Sequence, residues 1–172
     1  FYMENKTVIG FIGAGNMAYA LIKGLLSDGF EAKNINVSDA NTELLEKRSS
    51  DLGVTAHPDN VSLLTYSDIV VFAVKPQVLS VVCYELKNKA SSDQLFVSIV
   101  AGIKSKDINR WLGGDFALVR TMPNTPALFQ SGVTGLYANE LVNDIQKESV
   151  NLLLSAVGEC FWVNKENLLD AI

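Results

Sequence analysis

Short apolar runs alternate along this chain with longer stretches in which apolar residues recur every three or four positions. Val8-Ile9-Gly10-Phe11-Ile12-Gly13, Ile69-Val70-Val71-Phe72-Ala73-Val74 and Leu95 to Val100 are apolar at consecutive positions, as strands buried on both faces should be. Ile35 to Ser38 adds a strand, with shorter ones at Val54 to Ala56, Leu118 to Arg120, Val133 to Tyr137 and Cys160 to Val163. Between them, Asn16 to Leu26, Thr42 to Leu52, Asp59 to Thr65, Gln77 to Leu86 and Ser105 to Leu112 read as helices, and Leu141 to Val157 as a long amphipathic one. Gly29 ends the first helix; Asn41 caps the second and Gly53 stops it. Pro76 ends the strand before it. Glu166 to Ile172 reads as a final helix whose apolar residues lack a following partner, an expected docking surface. Strand-helix alternation with short connections predicts an α/β fold, a doubly wound and mostly parallel sheet with helices on both faces. Its ligands should lie beyond the carboxyl ends of the strands.

The first strand runs into Gly13-Ala14-Gly15-Asn16-Met17-Ala18, a Gly-x-Gly-x-x-Ala turn that opens a helix. A dinucleotide pyrophosphate needs that order. Gly13 permits a sharp turn, Gly15 leaves the backbone bare, and Ala18 lets the helix pack close to the strand. First-turn amides and the helix dipole then face the anion. A structural turn rich in small residues is the competing reading.

Composition narrows the field. The 172 residues suggest one domain with a sizeable core. With 48% hydrophobic and 19% charged residues the chain reads as globular, not disordered. A net charge of −5 argues against a nucleic-acid partner. No apolar run reaches the roughly 20 residues of a membrane helix, and the N-terminus lacks a signal-peptide layout. Cys83 and Cys160 have no metal-ligand spacing and read as reduced thiols of a cytoplasmic protein; no metal site is expected. His57, the one histidine, stands before Pro58 and reads as a surface residue, not a catalytic base.

Four strand-end segments carry the remaining chemistry. Asp39 follows the second strand where an acid usually accepts from the adenosine ribose; a turn or cap role is the alternative. No Arg or Lys follows it directly, the nearest being Lys47 and Arg48 further down the helix. In Ala73-Val74-Lys75-Pro76 the lysine stands at a strand mouth, as a cation near a cofactor or as a solvated helix start. Ser98-Ile99-Val100-Ala101-Gly102 offers small residues that let backbone approach a nicotinamide. Arg120-Thr121-Met122-Pro123-Asn124-Thr125-Pro126-Ala127 holds Asn124 and Thr125 between two prolines, as a ligand loop or a rigid connector.

Phe11 to Ala18, Ala73 to Pro76, Val97-Ser98 with Ala101-Gly102, and Arg120 to Ala127 together resemble pyrroline-5-carboxylate reductase, in order and spacing. The resemblance covers nearly all of this chain but only the first part of the family's sequence. It implies a Rossmann-like cofactor domain over residues 1–165, with 166–172 starting the connection to a C-terminal helical domain that binds substrate and makes a homo-oligomer. It implies reduction of 1-pyrroline-5-carboxylate to L-proline by hydride transfer from a dihydronicotinamide, with these residues alone inactive. Carried over, Ile12, Gly13, Ala14, Gly15, Asn16 and Met17 hold the pyrophosphate, and Ser38, Asp39 and Asn41 flank the ribose. Asn60, Ala73, Val74, Lys75, Pro76, Val100, Ala101 and Gly102 contact cofactor; Met122, Pro123, Asn124 and Thr125 lie near nicotinamide and substrate. NADP(H) is the implied cofactor with NAD(H) as alternative, although the Asp39 carboxylate by itself suits a ribose 2′-hydroxyl. No side chain stands out as a general acid. A dehydrogenase of the 3-hydroxyisobutyrate type and a non-catalytic dinucleotide sensor remain as rival readings.

Overall fold

In the computed structural model, which describes residues 6–123, 132–155 and 158–171, eight strands form one sheet. In chain order the elements are β1 (Ile9–Ile12), α1 (Asn16–Ser27), β2 (Ile35–Ser38), α2 (Thr42–Leu52), β3 (Thr55–Ala56) and α3 (Asn60–Thr65). They continue as β4 (Ile69–Phe72), α4 (Pro76–Leu86), β5 (Leu95–Ser98), α5 (Ser105–Leu112), β6 (Ala117–Pro123), β7 (Gly132–Ala138), α6 (Asp144–Ser155) and β8 (Gly158–Trp162). A 3-10 turn over Glu166–Ala171 follows. The sheet order is β3-β2-β1-β4-β5-β6-β7-β8, all pairs parallel except β6 with β7. The fold is therefore doubly wound and mostly parallel, Rossmann-like, as the alternating pattern implied.

The consecutive apolar runs serve two cores at once. Ile9, Phe11, Ile69, Val71, Leu95 and Val97 face one side, where α1, α2 and α6 bring Leu21, Leu25, Leu45 and Leu153. Ile12, Val70, Phe72 and Phe96 face the other, against Leu63 of α3, Leu79 and Leu86 of α4 and Ile108 of α5. Each such side chain contributes about 1.5–3 kcal/mol on full burial. Gly10 is bare because a Cβ there would strike Leu63 and Ser67.

Three expectations need correction. The long helix starts at Asp144, three residues later than the periodicity suggested, because Asn143 and Gln146 form a reciprocal cap. Gln146 N–H donates to Asn143 Oδ1 (2.8 Å) and Asn143 N–H to Gln146 Oε1 (3.0 Å). Val142, buried just before the cap, prolonged the apolar pattern into the preceding turn. Second, the strand read over Leu118 to Arg120 continues through Thr121, Met122 and Pro123, which are not loop, since β7 pairs with β6 from Val119↔Ala138 to Pro123↔Thr134. Third, the last segment is 3-10, and Leu169 is fully buried, not left for a partner.

Arg120 is anchored inside the fold, 1% exposed. Its guanidinium pairs with Glu166 (3.0 Å) and Asp170 (3.5 Å), and Glu166 also accepts from Ser105 N–H (2.6 Å) and Oγ (2.9 Å) at the start of α5. One carboxylate thus caps α5 and neutralises a buried cation. Glu166→Ala leaves buried Arg120 only the 3.5 Å contact with Asp170 and should cost up to about 3–5 kcal/mol, the usual effect of breaking a buried ion pair. Chemical denaturation checks this, and an unchanged midpoint would contradict it.

Candidate functional site at the strand switch point

The sheet grows from β1 in two directions, through β2 to β3 and through β4 to β8. That reversal leaves a crevice beyond the carboxyl ends of β1, β2 and β4. Gly13 turns the chain there with φ +108°, and its N–H donates to the Ser38 carbonyl (2.8 Å). A Cβ on Gly13 would collide with the Ala73 carbonyl, so only glycine brings β1 so close to the end of β4. Gly15 differs. Its backbone is extended (φ −75°, ψ −167°) and a Cβ would meet nothing within 4 Å. Gly15 is the N-cap of α1 without a side-chain cap, so the first amides of the helix face that open side unpaired by any cap.

Ile12, Gly13 and Gly15, with Asp39 and Asn41 after β2, Asn60 of α3, and Ala73, Val74 and Lys75 after β4, line a cleft of about 620 Å³. Its size suits a small-molecule or cofactor site. Leu44, Val78, Val81 and Val82 give it an apolar floor. Lys75 is exposed at the cap of α4, with Pro76 as the first helical residue. Ala14, Asn16, Met17, Ser38 and Pro76 do not line the cleft. Val100, Ala101 and Gly102 (φ +77°) follow β5, the next strand over from β4, and Met122 and Pro123 end β6 beyond that. Asn124 and Thr125 lie outside the described residues, as do Pro126 and Ala127.

Two expected ligands of a ribose are occupied within the protein. Ser38 is buried, and its hydroxyl donates to Asn60 Oδ1 (2.7 Å). Asp39 accepts from Ala14 N–H through Oδ2 (2.7 Å) and from Asn41 N–H through Oδ1 (2.8 Å). The carboxylate thus clamps the glycine turn to the end of β2, the turn role that its spacing also allowed. Asn41 caps α2 by accepting from Leu44 N–H (3.1 Å).

Arg48 is the residue that sequence reasoning placed too far away. One turn beyond Leu44 on α2, it folds back over the glycine turn. Its Nε donates to the Ala14 carbonyl (3.1 Å), its Nη2 donates to Asn16 Oδ1 (3.2 Å), and the guanidinium lies 4.4 Å from the Tyr19 ring centroid. Asp39 and Arg48 therefore hold the N–H and the C=O of the same residue. The only signal in the sequence was the i, i+4 relation to Leu44.

Other titratable groups are structural. His57 donates its N–H to the Val37 carbonyl (2.8 Å), sits with Nδ1 2.9 Å from Ser62 Oγ, and has its pKa lowered by burial, partly offset by Asp59. Burial pushes the Cys83 thiol up to about 12 and Cys160 to about 11, so neither is a ready nucleophile. Among the described residues no cluster of His, Cys, Asp and Glu could hold a metal ion, and no helix is long and apolar enough to cross a membrane. A second, polar hollow of about 610 Å³ opens beside α5, lined by Asn109, Tyr137 and Glu166 among others. Burial, Glu166 and Glu140 raise the Tyr137 pKa.

Residues 8–102 match the family described as NADP oxidoreductase, coenzyme F420-dependent. The chain is 43% identical over 164 residues to a pyrroline-5-carboxylate reductase of Pseudomonas aeruginosa, covering 95% of this chain and 60% of that protein. It is 40% identical over 172 residues to the enzyme of that name from Haemophilus influenzae, covering 99% and 62%. A solved pyrroline-5-carboxylate reductase from Coxiella burnetii superposes with TM-score 0.92 at 36% identity, over 95% of this chain and 61% of that one. The chain thus spans about three fifths of the length of the curated relatives it matches.

If Asp39 is the clamp, Asp39→Ala removes two bonds to a charged acceptor and leaves two amides without it. The expected loss is about 1–3 kcal/mol in a urea denaturation series. An unaltered midpoint would mean that the carboxylate holds nothing.

Proposed function

The chain belongs to the coenzyme F420-dependent NADP oxidoreductase family, and we propose that within it this chain is the dinucleotide-binding part of a pyrroline-5-carboxylate reductase. The reaction is reduction of 1-pyrroline-5-carboxylate to L-proline. The observation that supports this most is the 43% identity with a reductase of that name along 95% of the chain.

The residues fit the group the reaction needs. A cleft of about 620 Å³ at the switch point, an open face at Gly15 and an uncapped helix start suit a pyrophosphate. When bound, the dihydronicotinamide supplies the hydride. Ile12, Gly13, Ala14, Gly15, Asn16 and Met17 hold the phosphates in this reading, chiefly through backbone. Asn41 and Asn60 face the ribose, Asp39 and Ser38 hold the loop behind them, and Ala73, Val74, Lys75 and Pro76 form the opposite wall. Val100, Ala101 and Gly102 let backbone approach the nicotinamide, and Met122, Pro123, Asn124 and Thr125 border the substrate. The protein's task is then positioning and exclusion of water. The product also needs a proton on nitrogen, and no side chain of this chain is assigned to deliver it.

NADP(H) is the favoured cofactor, with NAD(H) as alternative. Asp39 accepts from the Ala14 and Asn41 amides, which orient its carboxylate toward the glycine turn while its charge stays at the cleft wall, so the preference for NADP(H) rests on the resemblance to the reductases and not on this residue. Residues 1–165 form the cofactor domain in this reading. The substrate wall and a homo-oligomer contact are assigned to the further length that relatives carry, so residues 1–172 alone bind cofactor without turnover. A reducing, cytoplasmic location accords with two free thiols.

Gly15→Asp tests the cradle. At about 4 Å and an effective dielectric of ~20, a carboxylate against a phosphate opposes binding by roughly 4 kcal/mol before screening, so NADPH affinity should fall at least ~100-fold. Circular dichroism should stay unchanged, because a Cβ there meets no protein atom. Calorimetry showing unaltered affinity would refute the cradle. The reaction is tested with the full-length protein, offered pyrroline-5-carboxylate with NADPH and, in parallel, 3-hydroxyisobutyrate with NADP+ or NAD+. NADPH consumption with the imine and no turnover of the hydroxyacid is expected; the reverse pattern would favour the hydroxyacid dehydrogenase, and binding without either reaction a sensor.

A further inference from the structure

Resting on the dinucleotide reading above, we infer that Arg48 is a positioning residue that fixes the pyrophosphate turn and aims the Asn16 carboxamide at the phosphates. Arginine is donor-only, so the Asn16 atom 3.2 Å from Nη2 is its oxygen. The two N–H donors of Nδ2 then point the other way, and no described residue accepts them. Asn16 is exposed, the first residue of α1, next to the open side of Gly15. Its amide is thereby held as an extra donor beside the backbone amides of the helix start.

The grip is over-determined. Nε holds the Ala14 carbonyl while Asp39 holds the Ala14 N–H, so the peptide units flanking Ala14 cannot swing. Tyr19, one turn into α1, supports the guanidinium face at 4.4 Å. Neither Arg48 nor Asn16 lines the cleft beside Asp39, Asn41 and Asn60 that would receive the adenosine, and both hydrogen bonds of Arg48 run to the glycine turn, which separates this role from direct binding of a 2′-phosphate. Its influence runs through the turn, so it should act on every ligand with a pyrophosphate and on none without one.

The test is a titration of NADPH, NADH and adenosine 2′-phosphate against wild type, Arg48→Ala, Arg48→Lys and Asn16→Ala, followed by intrinsic or nucleotide fluorescence. Arg48→Ala should weaken NADPH and NADH by the same factor, about tenfold for a lost charge-assisted bond, and leave adenosine 2′-phosphate unchanged. Asn16→Ala should give the same loss, and the double variant no more than either alone. Arg48→Lys, which keeps the charge without the two-pronged fork, should behave like Arg48→Ala. Loss confined to NADPH and adenosine 2′-phosphate would overturn the inference in favour of a direct phosphate ligand. Unchanged affinities, an equal loss for all three ligands, full rescue by lysine, or additive losses in the double variant would overturn it too. A wild type that binds neither dinucleotide would instead defeat the dinucleotide reading itself.

Discussion

The Ala73 carbonyl stands where a Cβ of Gly13 would be, and the arrangement of the whole site follows from that steric limit. Because residue 13 carries no side chain, β1 can end hard against the exit of β4, at the point where the sheet reverses its order of growth. The chain then turns with positive φ and presents the start of α1 to the crevice. Any other residue at position 13 would push the turn away from β4 and close the space that Gly15 leaves open. The two glycines thus do different things: Gly13 yields to protein, Gly15 to a ligand.

Backbone geometry alone would leave such a turn loose, and two charged side chains prevent this. Asp39 and Arg48 reach Ala14 from β2 and α2 and take its N–H and its carbonyl. They bring a negative and a positive charge to the two peptide units that flank Ala14, beside the proposed phosphate site. A similar economy holds at the far side of the sheet. There Glu166 pairs with Nη1 of buried Arg120 and takes the first amide of α5 at once, which ties the 3-10 segment to β6 and α5.

Local rules made most of the scaffold legible. Consecutive apolar residues in β1, β4 and β5, the Asn41 cap, and the Gly53 stop each depend on neighbours in sequence, and the structure has them where the pattern put them. What escaped depends on contacts between distant segments. Thr121-Met122-Pro123 has the composition of a loop and becomes strand only because β7 pairs with it. Leu169 looked unpartnered until Arg120 drew its segment in. Arg48 lies 34 residues from Ala14, and no periodicity announces that contact. Val142 misled for the opposite reason: it is buried, but from a turn held by Asn139 and not from the helix.

The central claim is that the turn at the switch point, and not the polar hollow beside α5, receives a dinucleotide. A titration of the 15N-labelled protein with NADPH, read by backbone amide NMR, addresses it most directly. Amides of Gly15, Asn16 and Met17 should shift first and saturate together with Asn41, Asn60 and Val74, while Asn109 and Tyr137 stay still. Shifts confined to Asn109, Tyr137 and their neighbours, with the glycine turn unmoved, would contradict the account.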